Sequence, residues 1–188
     1  MSAPVRRRLV GAMILGAIAV VGGVVHANAP PGQYVSFTSS DACISDQETK
    51  LEWMRAPFPS AYDYLGANGA CASLNDDAGT GVGWRVPSVN ELETLVDDVP
   101  FCEDVLTPGG GCIVKAIDGY AFPQTPATQF WTSSSVPGTS PVYAWTVNFA
   151  DGSSHQALAS APNLVRCVAT WVNGNPPACP VQYPPTNP

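Results

Sequence analysis

Asp151, Ser153, Ser154 and His155 place the carboxylate, hydroxyl and imidazole of a hydrolytic triad within five positions. Asn148 and Asp151 offer side-chain oxygens of the kind that Ca²⁺ gathers in sets of six to eight. Neither pattern is self-sufficient. Neighbours along a strand point to opposite faces, whereas a triad needs its three groups to converge. Asp151 is also followed by Gly152, and Asp-Gly is a preferred hairpin turn. Calcium at Asn148 and Asp151 is therefore the one cofactor the residues suggest, against the plainer alternative of a turn; otherwise the reading is of no cofactor. Zinc is not indicated, because no C-x-x-C pair exists and His155 is the only histidine after residue 26. Glu91 and Glu93 share a helix at a spacing that separates them, so they are not an acid/base pair. Asn75, Asp76 and Asp77, followed by Gly79, Gly81 and Gly83, form either a cation loop or a solvated turn. A nucleotide fingerprint is excluded, since Trp84, Arg85, Val86 and Pro87 follow in place of a helix start.

Aromatic residues and cysteines supply the remaining candidates. Trp53, Trp84, Trp131, Trp145 and Trp171 are either core or a stacking platform for sugar rings. Trp131 and Ser133, with Asn148 and Asp151, are the candidate ligand surface. Arg85 is expected to be a buried partner for the helix carboxylate Glu91, a structural role. Cysteines 43, 71, 102, 112, 167 and 179 are even in number, which implies three disulfides in an oxidising compartment and leaves fifteen pairings open.

These residues must be carried by an exported domain. Arg6, Arg7 and Arg8 precede an apolar run over 9–25 and the small-residue site Val25-His26-Ala27, the pattern of a secretory signal cleaved after residue 27. A retained anchor is the alternative, because the run approaches spanning length. With residues 1–27 removed, five bases face fifteen acids, a net charge of −10. Nucleic acid and other polyanions are thereby excluded, since their binding requires a basic footprint. After cleavage no membrane span remains, and the expected location is periplasmic or extracellular.

Residues 28–34 are expected as a mobile lead-in, 35–172 as one domain and 173–188 as a Pro-rich tail held at Cys179. Within the domain, 51–54 suits a buried strand, and apolar spacing from Pro59 predicts a helix ending near Leu74. Ser88 and Glu91 form a capping box, with Val89, Leu92 and Val96 as the apolar stripe of a second helix. In 144–150, Trp145, Val147 and Phe149 share one face of a strand that turns at Asp151-Gly152 and returns through 155–159. Two more strands are predicted over 130–135 and 164–170. Helices first and antiparallel strands later give an α+β fold, with the helices packed to one side of a sheet.

Five segments in order, ISDQETKLEWM (44–54), GWRVPSVNEL (83–92), FWTSS (130–134), AWTVNFADG (144–152) and VRCV (165–168), resemble the Lcl C-terminal domain, the bacterial family named for the end of the Legionella collagen-like adhesin. The resemblance implies a C-type-lectin-like frame of two helices and a small twisted sheet. It makes Trp53, Trp84, Arg85, Pro87, Glu91 and Trp145 structural, and turns 99–129 into a long recognition loop. It implies the pairing of Cys71 with Cys167, which leaves Cys102 with Cys112 and Cys43 with Cys179. The Glu-Pro-Asn and Trp-Asn-Asp motifs of calcium-dependent sugar binders are not intact. The expected function is an exported, non-enzymatic module for a glycan or an envelope protein. A structural envelope or appendage component is the alternative. A less favoured one is an oxidoreductase similar to the formylglycine-generating proteins, whose helix-leading motif resembles WRVP at 84–87 and whose chemistry needs a reactive copper-binding cysteine pair.

Overall fold

Residues 43–46 and 51–54 are almost unbroken runs of buried side chains, and they form the centre of the molecule. The computed structural model describes residues 29–36, 42–78, 83–105, 111–139 and 142–180; the expected signal segment and the end of the tail lie outside them. β1 (Tyr34–Val35), β2 (Cys43–Asp46) and β3 (Leu51–Met54) are antiparallel, and β9 (Val168–Thr170) joins β3, giving the order β1-β2-β3-β9. Side chains alternate across this sheet. One face carries Cys43, Met54 and Ala169 into a core with Cys71, Trp84 and Trp131. The other carries Ile44, Leu51, Trp53 and Val168 into a second core with Phe122, Phe130 and Phe149. A sheet covered on both faces explains why β2 and β3 lack the polar alternation of a half-solvated strand.

α1 (Tyr64–Ala78) packs on the first face through Ala67, Cys71 and Leu74, spaced by four and three residues. It continues past Leu74 because Asn75 holds Trp84 on both sides: its Nδ2 donates to the Trp84 carbonyl at 3.1 Å, and its Oδ1 accepts from the Trp84 N–H at 2.7 Å. Residues 75–77 are thus helical rather than a loop, and 79–82 lie outside the described residues. α2 (Val89–Glu93) is one short helix. Ser88 Oγ accepts from the Glu91 N–H at 3.2 Å and Glu91 Oε2 accepts from the Ser88 N–H at 2.8 Å, so the capping box is complete. Leu92 is the buried member of its stripe, whereas Val96 opens the next strand.

The region expected as a long loop holds a hairpin, β4 (Val96–Val105) with β5 (Gly111–Ile117), and Cys102 and Cys112 staple it. β6 (Gln129–Ser135), β7 (Tyr143–Asn148) and β8 (Ser154–Leu158) make a third antiparallel sheet. The β7–β8 turn is four residues long, not two: the Asn148 N–H donates to the Ser153 carbonyl at 2.8 Å and the Gly152 N–H to the Asn148 carbonyl at 2.7 Å. Gly152 has φ of +77°, and a Cβ there would stand 2.6 Å from Val96 Cγ1, so both backbone and neighbour require glycine. The predicted strand over 164–170 pairs as a ladder only from Val168; Leu164 instead bridges Phe130 in parallel. The fold is α+β, but three strands precede the helices and the strands divide into three sheets, which corrects the helices-first order. The bonds join Cys43 to Cys179, Cys71 to Cys167 and Cys102 to Cys112.

Candidate functional site

The four candidate ligand residues do not converge. Trp131 is fully buried and its indole N–H donates to the Tyr62 carbonyl at 2.7 Å, so it is core rather than surface. Its burial follows from β6, which lies between β7 and the Leu164 bridge. Ser133 is exposed, with its N–H donating to the Pro87 carbonyl at 2.7 Å and its carbonyl accepting from Tyr64 Oη at 2.8 Å. Asn148 is the cross-strand partner of Gln129, four residues and about 13 Å along β6 from Ser133. Its Oδ1 accepts from the Ala150 N–H at 3.0 Å. Asp151 Oδ1 accepts from the N–H and hydroxyl of Ser153 at 3.0 and 2.5 Å. Both side chains are used in fixing their own turn. The Ser153 hydroxyl, and then its backbone N–H, hold the exposed Asp151 carboxyl below the ordinary aspartate range. Among the described residues no three His, Cys, Asp or Glu side chains group as a metal site.

Ser153 and His155 do share a strand face, being two residues apart, and Ser153 Oγ lies 2.7 Å from His155 Nε2. The order of groups is nevertheless wrong for a nucleophile. The single hydroxyl proton is directed to the Asp151 carboxylate, so His155 Nε2 must donate to Ser153 and does not stand as its base. Ser154 faces the other way and donates to Glu93 Oε1 at 2.5 Å.

The motif residues form a frame. Arg85 grips Glu91 with two bonds of 2.6 and 2.8 Å and reaches Thr170 Oγ1 at 3.2 Å, while its backbone exchanges bonds with Val168. The pair is not buried as expected: the side chains are 41% and 24% exposed. Burial alone would raise the Glu91 carboxyl, but Arg85 and the Ser88 N–H and hydroxyl outweigh it and hold it below the usual range. Trp53, Trp84 and Pro87 are buried, and Trp145 is partly buried on β7.

A concave site is found elsewhere. A recess of about 230 Å³ is lined by Gln33, Tyr34, Val96, Asp97 and Asp118 among others. Its walls come from β1, the start of β4 and the turn after β5. Asp118 Oδ1 accepts from the Tyr120 and Ala121 N–H groups at 2.8 and 3.0 Å, fixing that turn, and Tyr120 projects from it 83% exposed. Burial, then Asp118 and Asp98, raise the Asp97 carboxyl against the pull of the Val99 N–H. Burial, then Asp46, Asp118 and Asp97, push the Tyr34 phenol well above its ordinary range. The recess therefore holds an un-ionised phenol among hydrogen-bond acceptors. Sequence reasoning missed it because Gln33 and Tyr34 stand in the stretch assigned to a lead-in, and Asp97 and Asp118 follow no short motif.

Fold and surface together define a disulfide-stapled α+β domain with both faces of its central sheet buried, whose six cysteines are all bonded. The sequence model described as the Lcl C-terminal domain matches residues 42–169, and the chain belongs to that adhesin-related family. No curated protein and no solved structure matches it. Disulfides on an adhesin-related domain fit an envelope or extracellular protein. No helix among the described residues is long and apolar enough to cross a membrane.

Proposed function

We propose that the chain is an exported, non-enzymatic ligand-binding module on a C-type-lectin-like frame, with the Tyr34–Asp97–Asp118 recess as the seat of an uncharged glycan. The recess carries this reading. Carboxylates and the Gln33 amide match the hydroxyls of a sugar, Tyr120 on the neighbouring turn offers a ring face, and the acidic balance opposes sulfated chains. Glycan-array screening followed by calorimetry tests it, on the wild type and on Asp97→Asn, which keeps the shape and removes the charge. Saturable binding weakened at least tenfold in the variant supports the reading; binding unaffected by the change removes the recess from it. Titration with and without Ca²⁺ tests the calcium site at Asn148 and Asp151, whose loss in Asp151→Asn would support that assignment.

A second reading, an envelope component that contacts proteins, rests on Ile113 and Val114. They are 45% and 46% exposed on the stapled hairpin. Cross-linking in intact cells that depends on these two residues, with an empty glycan array, would favour it.

A further inference from the structure

Glu52 is 5% exposed in the middle of β3, on the face that also carries Cys43, Ser45, Met54 and Ala169. Ser45 stands opposite it on β2, Ala169 opposite on β9, and Trp171 diagonally beyond. The chain leaves this row at Trp171, whose N–H donates to the Lys50 carbonyl at 3.1 Å, and returns to Cys43 through the Cys179 disulfide. Lys50 and Cys43 mark the two ends of the β2–β3 hairpin, and the Ser45–Glu52 pair lies between them. Residues 171–179 are thus a strap fastened at both ends on the sheet face that carries the buried Glu52 carboxyl.

We propose that Glu52 is a proton-controlled latch for this strap: the acid form keeps it seated, and loss of the proton to solvent loosens it between its two fastenings. The groups facing Glu52 are the Ser45 hydroxyl from β2, to which it is hydrogen-bonded, and the Trp171 indole from the strap. The Lys50 ammonium is set over the Trp171 ring, 5.1 Å from its centroid. Arg85, paired with Glu91, reaches Thr170, whose side chain belongs to the opposite face. Burial raises the carboxyl to about 7, and the Ser45 hydroxyl and the Trp171 indole, which favour the ion, do not offset it. An opened strap returns Glu52 to water and an ordinary carboxyl affinity. The closed state then holds more protons between pH 4.5 and about 7, so opening becomes more favourable across that window and levels off above it.

Hydrogen exchange of the strap amides in the full chain, corrected for intrinsic rates, tests this directly. Wild-type protection should fall about tenfold from pH 6 to pH 8, and Glu52→Gln, which keeps the shape without the titration, should remove the difference. Equal wild-type protection at both values, or a pH dependence that persists in the variant, overturns the latch. Should the variant not fold, a carboxyl-carbon NMR titration of Glu52 in the wild type decides: a midpoint near neutrality supports the proposal and one in the ordinary glutamate range overturns it.

Discussion

Arg166 is fully buried, and its guanidinium donates to the carbonyls of Met54 and Arg55 and to Thr125 Oγ1 while stacking 4.7 Å from the Phe122 centroid. It ties the end of β3 to the turn before β6. Arg166→Met should therefore cost about 3–5 kcal/mol, because it strands those acceptors in the interior; urea denaturation measures the loss. Glu91→Ala removes a cap and an ion pair together, about 1–2 kcal/mol, with the ionic part small because Arg85 is well exposed. Since the folded-state Glu91 carboxyl is held low, that contribution is present above the unfolded glutamate range and fades as pH falls through the lowered value. Denaturation of wild type and variant should accordingly converge in acid. At this scale the capping box and the Arg85–Glu91 pair were legible, because local spacing dictates both. Trp131 was not, since a tryptophan beside serines reads equally as core or surface until the neighbours of its strand are known. Arg166 gave one sign of itself, a base set between Val165 and Cys167.

The disulfides act on elements. Replacing Cys71 and Cys167 with alanine releases α1 from the segment before β9, across a separation of 96 residues, and should cost about 4–5 kcal/mol. The Cys43–Cys179 separation is larger, 136 residues, yet its removal should cost less globally. Once it is broken the strap gains freedom in the native state too, which cancels part of the entropy lost by the unfolded chain. Paired thermal and hydrogen-exchange measurements on the two double variants should show global loss for the first and loosening confined to residues 171–180 for the second. Strands β3, β6 and β7 were readable from the sequence because their apolar runs are short and bounded by turns. The β4–β5 hairpin was not, since its stretch mixes acids, Pro and Gly and its pairing depends on a staple that composition does not locate. The strap was read as a tail for the same reason: proline content shows that it is not helical, not that it lies across a sheet.

For the whole molecule the deciding quantity is charge. Five bases against fifteen acids after residue 27, with Arg166 enclosed and Arg85 engaged, leave little basic surface. The chain should pass through a column of sulfated polysaccharide without retention at physiological ionic strength, and retention would show that local basic groups override the global field. The family and the α+β class were legible at this scale because five ordered segments span the domain; the division into two cores was not, because it depends on β9 returning from the far end of the chain to close β3. That return has a mechanical consequence. β1 pairs with β2, and Cys179 is bonded to the first residue of β2, so the chain on either side of the domain is moored to one strand. Traction applied outside residues 43 and 179 would be shunted across a single covalent bond, leaving β2 to β9 and both helices enclosed in an unloaded loop, while β1 and the recess wall it forms stand outside that loop and feel the pull.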